Sequence, residues 1–395
     1  MVKEKYSCGA MDALFWAIMA IFYGYAVYFL RTFQYTAAQI GTMTAVGSLL
    51  SALAQNGVGA LNDRGGKWSG KRIFLVLLWL IAACMAGMIF VRSRLPAAVL
   101  FIFAMICSSG MMPLTVIICF EYQNRGIPVD YGKTRAAGSI GYAIVVYLLG
   151  LMTDCWGFRM VPMVGLVLCI LEILVLSGMP ADPKAAGRRT QSKAGWKQMV
   201  RLYPAFFLMA VGMILLFAFH NGTNTYLLPI LERVGGNNTS LGTALAIAAV
   251  VEIPVEVLIE KILKRISTGS LMLISGIGFS LKGVIYIAAA GVAGVYVAQV
   301  LQMISFALFA GGSPYYVNER ISSEYRSGAQ AMMTSCTVIG AVAGNFTAGL
   351  AFDGSGLRSM LYLCLCYAVL GTAAVFFSLR LEKHPSRHFD TGRQR

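Results

Sequence analysis

The chain reads as an all-α membrane protein of twelve transmembrane helices, arranged as two pseudo-symmetric six-helix bundles. Three observations lead there. Apolar residues make up 58% of the 395 residues and charged residues only 12%, about half the charged share of an ordinary soluble domain. Apolar runs of about 20 residues, the length an α-helix needs to cross a hydrocarbon core, recur from end to end. Stretches about 200 positions apart also carry the same residues in the same order, the mark of an internal duplication. Gly150-Leu151…Asp154…Gly157…Arg159 returns as Gly349-Leu350…Asp353…Gly356…Arg358. Gly110…Pro113 returns as Gly311…Pro314, and Gly41-Thr42…Ala45…Arg64 as Gly242-Thr243…Ala246…Arg265.

The spans are predicted, in order, over residues 9–30, 40–61, 72–91, 96–118, 134–153, 160–179, 203–229, 240–262, 268–288, 292–315, 328–351 and 359–379. The first lacks a small-residue cleavage site and is followed by further spans, so it reads as a retained helix. The fifth and eleventh are carried by Gly and Ala and have the weakest hydropathy signal. Residues 1–180 form the first bundle and 202–380 the second. Between them, 181–201 is rich in charge, Gly and Ser and reads as a flexible linker. Residues 381–395 are a polar tail.

A net charge of +15 suggests nucleic acid until the charges are placed. With the N-terminus in the cytoplasm, 25 of the 32 Lys and Arg fall on the cytoplasmic side. Arg31, Arg92, Arg94, Arg159, Arg233 and Arg358 lie outside, and Lys282 lies within a helix. That is the positive-inside bias, and it places both termini in the cytoplasm of a plasma-membrane protein. The basic excess is topological, and no nucleic-acid partner follows from it. Nine Cys are scattered without metal-ligand spacing and read as small buried thiols. No phosphate-binding loop, nucleophile–base arrangement or metal cluster appears, so neither an enzyme nor a cofactor is expected.

Between the second and third spans stands Gly59-Ala-Leu-Asn-Asp63-Arg64-Gly-Gly-Lys67…Lys71-Arg72. This resembles the short cytoplasmic loop of the major facilitator superfamily, with a small insertion before the final basic pair. The resemblance implies a mechanical role for Asp63 and Arg64, latching helix ends and releasing them as the halves rock. Arg135 or Arg64 is the expected partner of Asp63. Ser48-Leu-Leu-Ser51…Gln55…Gly59 and Tyr131-Gly-Lys-Thr-Arg135-Ala-Ala-Gly138-Ser139-Ile-Gly141-Tyr142 are similar to the lactose permease-like, oligosaccharide–proton symporter branch. They resemble the 3-phenylpropionate permease-like branch as well. The second half, with His220-Asn-Gly-Thr-Asn224-Thr-Tyr226, is more similar to the latter. The resemblance implies a substrate role for Arg135 and a stacking role for Tyr142. It aligns Glu252 with a substrate carboxylate of the eighth helix, and Lys282 with a basic residue near the proton site of the ninth. Other family positions have changed: an expected glutamate is Val116 or Ile117, a titrating pair is Gln302 and Ser305, and an Asp–Lys pair is Phe217 and Thr337.

Ionisable groups at bilayer depth are expensive and mark pathways by default. Glu252 lies about 12 residues into its helix, about 18 Å deep. Glu256 follows one turn later on the same face. Lys282, from the neighbouring antiparallel helix, is expected to reach down to Glu252. The alternative is a structural ion pair that packs two helices. His220, Asn221 and Asn224 form a polar cluster in an apolar helix, and Tyr226 repeats Tyr25 at the equivalent place. With Gln302, these read as cavity-lining groups for a small polar solute. Asp12 reads as interfacial.

The expected function is a secondary transporter, most simply a monomeric proton-coupled importer of a sugar, nucleoside or aromatic acid. An efflux antiporter of the same fold is the first rival, weakened because residues 138–150 lack the proline many such antiporters carry. A non-transporting, transporter-like sensor is the second, and no loop is long enough for an output module.

Overall fold

The computed structural model describes residues 2–63, 68–124, 127, 129, 131–179 and 196–383, the side chains of 2–6, 63, 124, 131, 196–198 and 383 excepted. The expected linker up to residue 195, the tail beyond 383, and the Asp63 and Arg64 side chains of the expected latch lie outside the described residues.

The described elements are helical throughout, with no strand among them. The first half holds α1 (Val2–Gly24) continued by α2 (Ala26–Thr32), then α3 (Ala37–Asp63), α4 (Gly70–Phe90), α5 (Arg94–Asn124), α6 (Tyr131–Trp156) and α7 (Met160–Gly178). A short α8 (Trp196–Leu202) leads into α9 (Pro204–Thr225), continued by α10 (Leu227–Glu232). Then come α11 (Asn238–Leu263) and α12 (Thr268–Ala288). The next span is α13 (Val292–Val300) joined to α14 (Phe306–Arg320) through a 3-10 turn at Leu301–Met303. The chain ends in α15 (Ser323–Lys383). Among the described residues, 11 helical stretches are long and apolar enough to cross a membrane, and the last runs for 60 residues. That is about three times the 20 or so residues one crossing needs, room for two long spans. Its backbone leaves helical geometry at Gly356 (φ 83°, ψ 173°), so two spans meet there, between the ranges expected for the eleventh and twelfth. Apolar side chains at many helix surfaces stay exposed, Phe90 at 82% and Trp79 at 62% among them, as a lipid-facing shell requires.

The repeated motif now has a local cause. Gly157 (φ 80°) and Gly356 (φ 83°) are equivalent helix terminators in the left-handed region, open to glycine at little cost. Gly356→Ala meets no atom within 4 Å, so only backbone strain opposes it. It should cost about 1–3 kcal/mol, read as a lower unfolding midpoint in detergent.

Two breaks were not expected. The first and seventh spans each part at a tyrosine, Tyr25 and Tyr226, which cap the short helices that follow. Both rings are fully buried. The Tyr25 hydroxyl donates to the Val146 carbonyl at 2.6 Å, and the Tyr226 hydroxyl to the Ala37 carbonyl at 2.7 Å.

Helices of each half pack among themselves. Between the halves the principal contacts are α6 against α11 and α3 against the first part of α15. Both seams close tightly at the face opposite the chain ends. A Cβ on Gly41 would lie 2.3 Å from the Asn345 carbonyl oxygen, and one on Gly242 2.4 Å from the Val146 carbonyl oxygen. Arg31 of α2 and Glu232 of α10 hold equivalent places in the two halves. They pair with each other at 2.7 Å, as groups beside a local twofold axis do. Toward the chain ends, Gly57 and Gly59 of α3 and Gly328 of α15 meet nothing within 4 Å. This conformation is therefore closed at the far face.

Candidate functional site

Polar groups inside the bundle gather in three linked places. The first lies where α1, α6 and α11 meet. Gly138 and Gly141 let α6 approach α1 so closely that a Cβ at Gly141 would lie 2.3 Å from the Ala13 carbonyl oxygen. That approach brings the Arg135 guanidinium over the Trp16 ring, 4.3 Å from its centroid. Across the seam, Arg135 Nη2 stands 3.5 Å from Glu256 Oε1. Both side chains are partly exposed, at 30% and 25%, so the pair is reachable rather than sealed. Asp12 is 5% exposed and sits within electrostatic reach of both Arg135 and Glu256. Asp12, expected near the membrane entry of its helix, is thus covered by protein rather than open to solvent. The close α1–α6 packing covers it, and its Oδ2 is buried without a hydrogen-bond partner among the described residues.

The second place is a hydrogen-bonded chain through α11, α12 and the α13–α14 junction. Gln302 Nε2 donates to Glu252 Oε1 at 3.0 Å, and Lys282 Nζ donates to Gln302 Oε1 at 2.6 Å. Lys282 also donates to Gln299 Oε1 at 3.2 Å, whose Nε2 donates to the Tyr286 hydroxyl at 3.0 Å. Lys282 is fully buried. The direct approach of Lys282 to Glu252 is replaced by a relay through Gln302. The physical reason is the 3-10 turn at Leu301–Met303, which breaks the tenth span and carries Gln302 between the two charges. Gln302 thereby engages both ends of its amide inside the protein. Tyr142 is half-buried on α6, within electrostatic reach of Glu252 across the seam and of Tyr23 on α1.

The third place is on α9. The His220 ring stacks on Phe306 with centroids 4.8 Å apart and planes 13° apart. Its Nε2 lies 3.1 Å from Asn224 Nδ2, and its Nδ1 is buried with no hydrogen-bond partner among the described residues. Asn221 turns its amide to the Phe217 carbonyl of its own helix, 3.0 Å away. Tyr25, within electrostatic reach of Tyr142, and Tyr226, which caps the end of α9, lie at the margins of these places. Their hydroxyls are taken by carbonyls at the closed helix crossings, so neither is a free donor in this conformation.

Arg135, Glu252, Glu256, Lys282, Gln302 and Tyr142 are thus linked along α6, α11, α12 and the α13–α14 junction, with His220 and Asn224 beside them on α9. Trp16, Tyr23 and Gln299 were not singled out from sequence. A lone aromatic or amide in an apolar helix carries no periodic signal, and only the tertiary approach reveals it. Glu172 was missed as well; it is fully buried on α7, and both its carboxyl oxygens lack a hydrogen-bond partner among the described residues. No group of three His, Cys, Asp or Glu side chains is placed to hold a metal ion among the described residues.

The family model described as MFS_1 like family matches residues 12–363. The maltose permease of Geobacillus stearothermophilus is 23% identical over 340 residues, 83% of this chain and 84% of that one. A probable 3-phenylpropionic acid transporter of Escherichia coli K12 is 24% identical over 218 residues, 55% of this chain and 57% of its own. In three dimensions the chain is similar to a mutant form of the nucleoside transporter NupG, at a TM-score of 0.81. That match has 16% identity and covers 95% of this chain and 99% of the other.

Proposed function

The chain belongs to the MFS_1-like family of the major facilitator superfamily, a multi-pass membrane transporter and not an enzyme, and from that premise we propose that it imports a small polar organic solute together with a proton. The observation that carries this reading is the continuity of the polar groups. Arg135 and Glu256 meet across the two halves, and Glu252, four residues from Glu256 on α11, opens the buried chain to Lys282. A bundle that needed only to be stable would not hold so many ionisable groups at this depth.

The chemistry runs as follows. A solute bearing a carboxylate or adjacent hydroxyls competes with Glu256 for the Arg135 guanidinium, whose planar donors suit both. Trp16 and Tyr142 supply faces for a sugar ring, base or aromatic ring. With Arg135 drawn to the solute, Glu256 is left without its ion-pair partner, and Glu252, helped by Glu256, is the group assigned to carry the proton. Lys282 acts on Glu252 through Gln302 and sets how readily that proton leaves. His220 and Asn224 offer further donors from α9. The relatives named for maltose, 3-phenylpropionic acid and nucleosides give the solute range: sugar, aromatic acid or nucleoside. By the positive-inside rule the face with the chain ends is cytoplasmic, in the plasma membrane, and this conformation is closed to the outside. Asp63 and Arg64 remain the proposed latch of the cytoplasmic face, and a monomer is the proposed working unit.

A thermal-shift screen of purified protein against sugars, nucleosides and organic acids tests the reading. A ligand at 100 times its Kd stabilises the folded state by about 2.7 kcal/mol, and Arg135→Ala should erase that shift. A ligand that stabilises the Arg135→Ala protein as well as the parent would move the solute away from this place.

A further inference from the structure

The duplicated stretch Gly150-Leu151…Asp154 and Gly349-Leu350…Asp353 ends in an aspartate each time, and neither aspartate serves its own half. Asp154, at the far end of α6, accepts from the first turn of α11 in the second half. The donors are Asn238 N at 3.2 Å, Asn238 Nδ2 at 2.9 Å, Thr239 N at 2.7 Å and Thr239 Oγ1 at 2.6 Å. Asp353, at the end of the first part of α15, accepts from the first turn of α3 in the first half. There Ala37 N lies at 3.0 Å and Ala38 N at 2.8 Å. Ala37 and Ala38 hold the places in the first half that Asn238 and Thr239 hold in the second, so each half gives one carboxylate and receives one.

From this exchange we infer that Asp154 and Asp353 are paired gating residues. Each is a carboxylate clamp that holds the far face closed by capping a helix of the opposite half. The first-turn N–H groups of a helix have no partner within the helix and carry partial positive charge. Each of these helices caps its third N–H itself, Gln39 N donating to Thr36 Oγ1 at 3.3 Å and Ser240 N to Asn237 Oδ1 at 2.9 Å. The first two N–H groups of α3 and of α11 are instead capped from across the seam, so separating the halves uncovers two carboxylates and those donors together. Beneath the caps the seams pack backbone against backbone at glycines. Gly150 sits against the Asn238 carbonyl with the Tyr25 hydroxyl beside it, and Gly349 against the Ala37 carbonyl with the Tyr226 hydroxyl beside it. The clamps are unequal. Asp154 accepts four bonds, two of them from side chains, while the alanines facing Asp353 offer backbone N–H groups alone. At the caps the α6–α11 side is therefore the more strongly held, while the α3 side has in addition the Tyr226 hydroxyl on the Ala37 carbonyl.

The inference rests on a transporter whose halves rotate, and not on the identity of the solute or on proton coupling. Its test reads rotation directly. Spin labels go on Ser93→Cys and Ala290→Cys, exposed positions in the α4–α5 and α12–α13 turns of opposite halves, well away in sequence from both clamps. The exposed native thiols Cys155 and Cys366 are replaced by Ser. Distances are measured by double electron–electron resonance in nanodiscs. Losing one charged cap should raise the long-distance, far-face-open population about fivefold, the equivalent of about 1 kcal/mol. Asp154→Ala should exceed Asp353→Ala, and the double variant should exceed both. Asp154→Asn keeps one acceptor oxygen and should fall between parent and Asp154→Ala, which guards against a variant that does not fold. A purely local cap would leave the Ser93–Ala290 distance unmoved. If the parent shows two distances and the aspartate variants leave their ratio unchanged, the clamps are refuted while rotation stands. If one distance persists in every protein, with or without solute, the rotation on which the clamps rest is refuted too.

Discussion

Glu252→Gln should abolish accumulation driven by a pH gradient while leaving solute exchange across the membrane intact. The substitution is close to isosteric, and its amide oxygen can still accept from Gln302 Nε2, which stands 3.0 Å from Glu252 Oε1. Packing is therefore preserved, and what disappears is a group able to take and release a proton. A gradient of one pH unit supplies about 1.4 kcal/mol per proton, a tenfold accumulation for one proton per solute. The variant should fall from that level to simple equilibration, with counterflow of labelled against unlabelled solute still rapid. Proteoliposomes with an imposed gradient make the measurement. Uptake by the variant that still follows the gradient would reduce the Glu252–Gln302–Lys282 chain to a structural bridge.

Gly242→Val should remove transport almost entirely, by a different route. Its Cβ would lie 2.4 Å from the Val146 carbonyl oxygen, 3.1 Å from Tyr147 Cα and 3.1 Å from the Tyr25 hydroxyl. The first two are backbone atoms of α6, so a side chain cannot swing aside to make room. The seam itself must part, and the seam is what closes the far face. Overpacking of this kind costs about 1–3 kcal/mol, enough to lower the closed population by about 5- to 150-fold. Gly41→Val should act alike, since its Cβ would meet the Asn345 carbonyl oxygen at 2.3 Å. Gly57→Ala, on the same α3 but with nothing within 4 Å, should leave uptake unchanged. Initial uptake rates of the three variants in one vesicle preparation separate these outcomes.

How much of this could be read beforehand depended on how far apart the partners lie. Apolar runs reported the helices well, because length and composition alone decide whether a helix can cross a bilayer. They did not report the breaks at Tyr25, Tyr226 and Leu301–Met303. Hydropathy runs straight through these positions, and the breaks belong to contacts made with other helices. The duplicated Asp154 and Asp353 stood out as a pattern, yet their role was invisible, since each aspartate's partners lie in the other copy. Glu252 and Lys282 were found as charges out of place in apolar surroundings, which is a strong local signal, whereas Arg135 stood out through the family resemblance. Their true partners were harder. Arg135 meets Glu256 and Trp16, and Lys282 meets Gln302 and Gln299. Those pairings follow from small-residue packing of α6 on α1 and from one 3-10 turn, neither of which charge patterning can specify.

The central claim is that a proton travels inward with the solute, and the most direct test watches the proton itself. Lightly buffered vesicles containing the protein are held without any imposed gradient, a solute found in the thermal-shift screen is added outside, and external pH is followed. The expected result is a prompt alkalinisation that scales with solute uptake and is absent from the Glu252→Gln protein. Solute entering at full rate with no change in external pH would contradict the claim.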